Sequence, residues 1–171
     1  MGLRMTAEKL SEIREHAARE YPNECCGAML GAVDGSGVKE VRHIEPLRNV
    51  RKEVDRAEEL LPLAAPERES ERNRFLIDPG DLMGVERRAR RLGLDVVGFY
   101  HSHPDHPARP SDYDRDHAFP WYSYVIIAVE AGRPGRHTSW VLRDDRSQFD
   151  EEGLEITSQV APCAMIDRVR N

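Results

Sequence analysis

The segment that most restricts how this chain can fold covers residues 94–100, which are apolar throughout except for Asp95 and lead straight into His101-Ser102-His103-Pro104. A run of this kind without alternation reads as a strand covered on both faces, so a sheet with a layer on each side is required. Pro104 ends it. On an extended backbone residues two apart point to one side, and His101 and His103 can therefore meet a single ion at the edge of a rigid sheet. Taken by itself such a pair is also what two ordinary histidines at a strand end would give.

Around that strand, helical and extended patterns alternate. Thr6 caps a helix in which Leu10, Ile13, Ala17 and Ala18 recur at helical spacing up to Pro22, with Arg4 and Met5 as its approach. Residues 26–30 and 38–44 read as a strand pair across the turn Asp34-Gly35-Ser36-Gly37, with Glu24 at the mouth of the first strand. Residues 51–72 are charge-dense and Pro-punctuated and read as an insertion, in which Val54, Ala57 and Leu61 line one face of a short helix. Residues 75–77 form a short strand candidate. Asp78-Pro79 then opens a helix to about Leu92, with Leu82, Val85, Ala89 and Leu92 on one stripe and Gly93 as its stop. A short helix over 111–118 and strands over 122–129, 137–142 and 154–160 complete the pattern. The expectation is an α/β fold: one domain over residues 1–171, with a mixed, curved β-sheet flanked by helices.

Composition narrows the function classes. A chain of 171 residues suffices for one compact domain and is too short for two with a linker. The net charge is −6, and the 25 basic residues form no dense single-sign run, so no nucleic-acid footprint is expected. Cys25, Cys26 and Cys163 are odd in number and two are adjacent, which offers neither a disulfide framework nor a CxxC knuckle; a reducing cytoplasm fits best. Residues 1–10 lack the apolar core of a signal peptide, and no run of about 18 apolar residues is available to span a membrane.

Beyond the histidines, Ser111 and Asp114 have the spacing of a capping box, and Asp112 and Asp116 suit a helix N-terminus electrostatically. On that helix residues 111, 114 and 118 share a face, so Asp114 is the acid that joins Ser111 at a site. The whole pattern, His-x-His-Pro, six residues, Ser, two residues, Asp, resembles the metal motif of the JAMM or MPN-plus family, with His101, His103, Ser111 and Asp114 in its places. Pro22-Asn23-Glu24-Cys25-Cys26-Gly27 looks like the prokaryotic form of the family's upstream glutamate segment. The resemblance covers most of residues 5–160, and residues 51–72 are its clearest departure.

That resemblance implies a cytidine-deaminase-like architecture and one Zn²⁺ per chain, held by His101, His103 and Asp114. Two imidazoles and a carboxylate leave a fourth position for water, the open arrangement of a catalytic site. The resemblance makes Glu24 the general base and Ser111 a hydrogen-bond donor to the oxyanion or to water. The implied reaction is hydrolysis of a peptide or isopeptide bond after the C-terminal Gly-Gly of a ubiquitin-like protein or small sulfur carrier, whose extended tail would add as a strand at a sheet edge. A zinc hydrolase of small amides and a non-catalytic scaffold of the same fold are the other readings, though such scaffolds typically lack a ligand and this chain lacks none. No Pro-Cys-x-x-Cys segment exists to complete a deaminase site. His106, His117, Asp105 and Asp116 read as loop or helix-surface groups, or as partners that orient the imidazoles. Cys25 and Cys26 read as packing residues, Trp121 and Trp140 as core or rim, and the arginines at 87–91 as a solvated helix side.

Overall fold

A computed structural model describes residues 2–50 and 77–158. The helix through Val54, Ala57 and Leu61, the insertion at 51–72, Phe75, Cys163 and the last two residues of the strand expected at 154–160 lie outside the described residues.

Two alternating apolar residues, Leu3 and Met5, start the fold. They face inward from strand β1 (Gly2–Thr6), and Thr6 then caps helix α1 (Ala7–Glu20), its Oγ1 accepting from the Lys9 N–H at 3.3 Å. The expected approach to a helix is therefore a strand. Next come β2 (Cys26–Val33) and β3 (Val38–Leu47), joined by a turn in which Asp34 Oδ1 accepts from the N–H groups of Ser36 and Val38. Helix α2 (Pro79–Leu92) begins at an Asp78 cap, with Pro79 in its first turn, and stops at Gly93, whose φ of 66° is the left-handed conformation that favours glycine. Strand β4 (Asp95–Pro104), the short helix α3 (Asp112–His117) and strands β5 (Ser123–Glu130), β6 (Arg133–Leu142) and β7 (Phe149–Thr157) follow. Ile77 and Asp78 are not in a strand, and the last strand starts five residues before its expected position at Leu154.

The sheet is mixed, as expected, and it closes. Its order is β1-β3-β2-β4-β5-β6-β7, and β1 completes the ring by pairing in parallel with both β3 and β7. Closure protects the backbone groups that an open curved sheet would leave at its two edges. Helix α1 lies against the inner face: Leu10, Ile13 and Ala17 pack with Leu3, Met5, Cys25, Met29, Val97, Tyr100, Val125 and Ile127. Each of the leucine, isoleucine, valine and methionine side chains among them, fully buried, contributes about 1.5–3 kcal/mol. Helix α2 covers the outer face of β2 and β4, where Val85 and Ala89 meet Ala28, Leu30, Val96 and Phe99. Both faces of β4 are thus covered, which explains its unbroken apolar run. Leu92, expected on the buried stripe of α2, is 51% exposed as the last residue of the helix. The arginines at 87, 88, 90 and 91 are solvated, as expected. Trp121 is exposed at φ 77°, while Trp140 is half-buried and donates its indole N–H to Thr138 Oγ1. Among the described residues no helix is long and apolar enough to cross a membrane.

Candidate functional site

The site forms where β4 runs out. Phe99, His101 and His103 alternate onto the outer side of the strand, while Tyr100 and Ser102 turn toward α1. The two imidazoles converge, with Nε2 of His101 and Nε2 of His103 only 3.0 Å apart. His103 Nδ1 meets the Pro107 carbonyl oxygen at 2.9 Å; that bond needs the proton on Nδ1 and leaves the Nε2 lone pair facing the site.

The carboxylate arrives from α3. Ser111 caps this helix, its Oγ accepting from the Asp114 N–H at 3.1 Å, while Asp114 Oδ2 accepts from both the Ser111 N–H and the Ser111 hydroxyl at 2.7 Å. This is the capping box that the spacing predicts, and it fixes the buried Asp114 so that Oδ1 lies 3.2 Å from His101 Nε2 and Oδ2 lies 3.6 Å from His103 Nε2. A tetrahedral ion with ligands at about 2.0–2.1 Å has ligand–ligand edges of about 3.3 Å. The His101–His103 separation and the nearest carboxylate approaches lie close to that edge, the candidate ligand atoms, one from each residue, all fall within 4.8 Å of one another, and His101, His103 and Asp114 are the group among the described residues that could hold a metal ion.

Charge favours a cation here. Burial pushes the Asp114 carboxyl up, but the neighbouring imidazoles and the Ser111 N–H outweigh it and keep the group ionised. Burial lowers the His101 imidazole, toward the neutral form that a metal ligand requires. Glu24, at the entrance to β2, is only 4% exposed, and its Oε1 stands 4.0 Å from His103 Nε2. Burial, with the charge of Asp114 added, raises its carboxyl to about 9. It is adjacent to the ligand set without belonging to it. A cleft of about 250 Å³ opens beside it, lined among others by His16, Glu20, Leu47 and Arg48.

All five residues singled out from the sequence, Glu24, His101, His103, Ser111 and Asp114, are thus brought together. The groups considered as partners for the imidazoles are not. Asp105 accepts from the Tyr21 hydroxyl and the Ala131 N–H, Asp116 pairs with Arg115, and His117 stacks on Tyr113; His106 is exposed. The imidazole at 103 is oriented by a main-chain carbonyl, for which side-chain identity gives no signal. Sequence reasoning also missed Tyr100, whose hydroxyl lies 2.8 Å from His16 Nδ1. Its ring covers Gly27 on the facing strand, where any Cβ would fall 2.3 Å from the ring.

The chain is similar to several known proteins. The chain is 34% identical over 129 residues to the desampylase of Haloferax volcanii, covering 75% of this chain and 78% of that protein. It is 33% identical over 124 residues to a probable TtuB-protein conjugate cleaving protease of Thermus thermophilus, covering 72% and 68% respectively. A solution structure of a protein from Desulfitobacterium hafniense superposes with a TM-score of 0.72 at 29% identity, covering 92% of this chain and 94% of that one. Residues 6–143, which hold every group of the site, match the family described as prokaryotic homologs of the JAB domain, and the chain belongs to that family.

Proposed function

We propose that this chain is a zinc-dependent hydrolase that cleaves the peptide or isopeptide bond after the C-terminal Gly-Gly of a ubiquitin-like or sulfur-carrier protein. The observation that carries the reading is the buried convergence of His101, His103 and Asp114 with Glu24 beside them but outside the ligand set. The two relatives named for removing or cleaving such conjugates support the substrate class. One domain bearing the site, with residues 51–72 inserted in it, is the organisation this reading assumes.

A Zn²⁺ held here would supply Lewis acidity, the chemistry that acidifies a water and polarises an amide carbonyl. The chain does the rest. His101, His103 and Asp114 would hold the ion, with the Pro107 carbonyl and the Ser111 cap fixing two of the three. Glu24, beside the ligand set and outside it, takes the proton of the attacking water and passes it to the departing amine. Ser111 carries one hydroxyl proton, directed at Asp114 Oδ2; turned toward the substrate, the same proton meets the oxyanion. The closed sheet limits where an extended tail can add. Among the described residues β1 follows β3 only through Glu40, and beyond it β3 runs toward the site with Leu47 facing Cys26, which faces His101. That stretch is the place this reading gives the tail.

The test is metal analysis with a chelator-sensitive cleavage assay on carrier fusions, comparing the wild type with Glu24→Gln. The variant should keep one zinc and lose turnover, and retained turnover would overturn the assignment of the base. A Gly-Gly-ending peptide should compete; no inhibition at saturating peptide would remove the proposed tail.

A further inference from the structure

Ser102 stands between the two histidines yet faces away from them. It is fully buried, on the side of β4 that carries Tyr100 and looks toward Cys25 and the α1 layer. A hydroxyl in such surroundings is destabilising by about 1–3 kcal/mol unless it is bonded, and its partner here is specific. Ser102 Oγ accepts from the Cys25 N–H at 2.9 Å, while the Ser102 N–H donates to the Cys25 carbonyl at 3.1 Å.

This arrangement departs from an ordinary ladder in one respect. The regular β2–β4 pairing ends at Cys26 opposite His101. In a continued antiparallel ladder Cys25 would exchange both main-chain bonds with Ser102. Only one is made to the main chain, and the other is taken by the side chain. The same register, continued, sets Glu24 opposite His103 on the outer side, and the hydroxyl bond holds the Glu24–Cys25 peptide against β4 where the regular ladder has ended, with Glu24 Oε1 4.0 Å from His103 Nε2. On the far side, Asn49 Nδ2 donates to the Glu24 carbonyl oxygen at 3.1 Å. Glu24 is therefore held at its backbone from two directions, and one of the two holds is built on the same strand as the imidazoles.

We infer that Ser102 is a positioning residue for Glu24: by replacing one ladder bond with its hydroxyl it fixes where the Glu24 carboxylate stands relative to the ligand histidines. The inference rests on the proposed hydrolase reading. Because the hydroxyl acts on the backbone of residue 25, its loss moves Glu24 and spares the ligands. A displacement of about 1 Å at a catalytic group lowers turnover by about 10²-fold.

The experiment compares Ser102→Ala and Ser102→Thr with the wild type, in the zinc-loaded full chain acting on a ubiquitin-like carrier joined through Gly-Gly to a reporter. Ser102→Ala should bind one zinc, keep KM within about threefold and lose about 10²-fold in kcat, and Ser102→Thr, which keeps the hydroxyl, should regain most of it. In a Glu24→Gln background Ser102→Ala should lower kcat by no more than about twofold, since two changes acting through one group do not add. A further loss of about 10²-fold in that background would overturn the inference, as would an unchanged kcat in Ser102→Ala alone or loss of zinc from it. A readout free of turnover is hydrogen exchange of the Cys25 amide in the metal-free protein. It should quicken at least about tenfold in Ser102→Ala while the Ala28 and Met29 amides stay protected; unchanged protection at Cys25 would overturn the inference even if no substrate is cleaved. If the wild type cleaves nothing, or Glu24→Gln is fully active, the hydrolase reading fails, and the exchange result still decides what Ser102 does to the backbone. Should Ser102→Ala prove too unstable to assay, Ser102→Cys, a near-isostere with a weak acceptor, takes its place with the same expectations.

Discussion

Replacing Gly27 by alanine should damage the site without touching any of its polar groups. Gly27 pairs with Tyr100 across β2 and β4, and a Cβ at position 27 would stand 2.3 Å from Cε1 and Cζ of the tyrosine and 2.4 Å from its hydroxyl oxygen. Unstrained carbon contacts lie at about 3.5–4.0 Å, so the ring must retreat by about 1 Å or more. It has nowhere free to go, being fully buried and held through its hydroxyl at 2.8 Å from His16 Nδ1. Overpacking of this kind destabilises by about 1–3 kcal/mol, and a lost hydrogen bond adds about 1 kcal/mol. The sum, about 2–4 kcal/mol, corresponds to a melting temperature lower by about 4–16 °C in a chain of this size. Tyr100 directly precedes His101, so the imidazole pair moves with it and zinc affinity should fall by about tenfold or more. Thermal denaturation with and without zinc, and zinc titration against a chromophoric chelator, read both effects. In a Tyr100→Leu background, where the ring is gone, Gly27→Ala should cost less than about 0.5 kcal/mol. Wild-type melting and zinc affinity in Gly27→Ala, or an equal loss in both backgrounds, would refute the reasoning.

Two further outcomes follow from the site's electrostatics and its cap. Because burial raises the Glu24 carboxyl to about 9, the stability this residue allows the metal-free protein is complete below its ordinary value of 4.5 and is lost as the pH climbs toward 9. Glu24→Gln removes that dependence, so in the presence of chelator it should melt close to the wild type at pH 5 and several degrees above it at pH 8; parallel profiles across this range would contradict the burial argument. Ser111→Ala should lose the cap, worth about 1 kcal/mol, and also lower kcat by about 10²-fold; a stability loss with unchanged kcat would leave Ser111 a structural cap alone.

The site was more legible in the sequence than the sheet that carries it. His101 and His103 follow an unbroken apolar run, and Ser111 and Asp114 have a spacing whose geometry is local, so their faces could be derived without knowing the fold. The start and stop of α2 at Asp78 and Gly93 were readable for the same reason. Strand β1 was not, because Leu3 and Met5 give only two turns of alternation before the Thr6 cap, and the strand exists through pairing with β3 and β7. With β1 unread, closure of the sheet was out of reach. The shift of β7 has a related cause: its first half carries three consecutive acidic residues, Asp150 to Glu152, on a largely solvated strand, so no apolar alternation marks its start. Pro107, which orients His103 through its carbonyl, and Ser102, which bonds a main-chain N–H, act through backbone partners that residue types do not encode.

The most direct measurement is a crystal grown with zinc and recorded at the zinc absorption edge. The account predicts one anomalous peak per chain, about 2.0–2.1 Å from Nε2 of His101, Nε2 of His103 and a carboxylate oxygen of Asp114, with Glu24 beyond bonding distance. No peak under zinc-replete conditions, Asp114 turned away from the imidazoles, or Glu24 bound directly to the ion would contradict it.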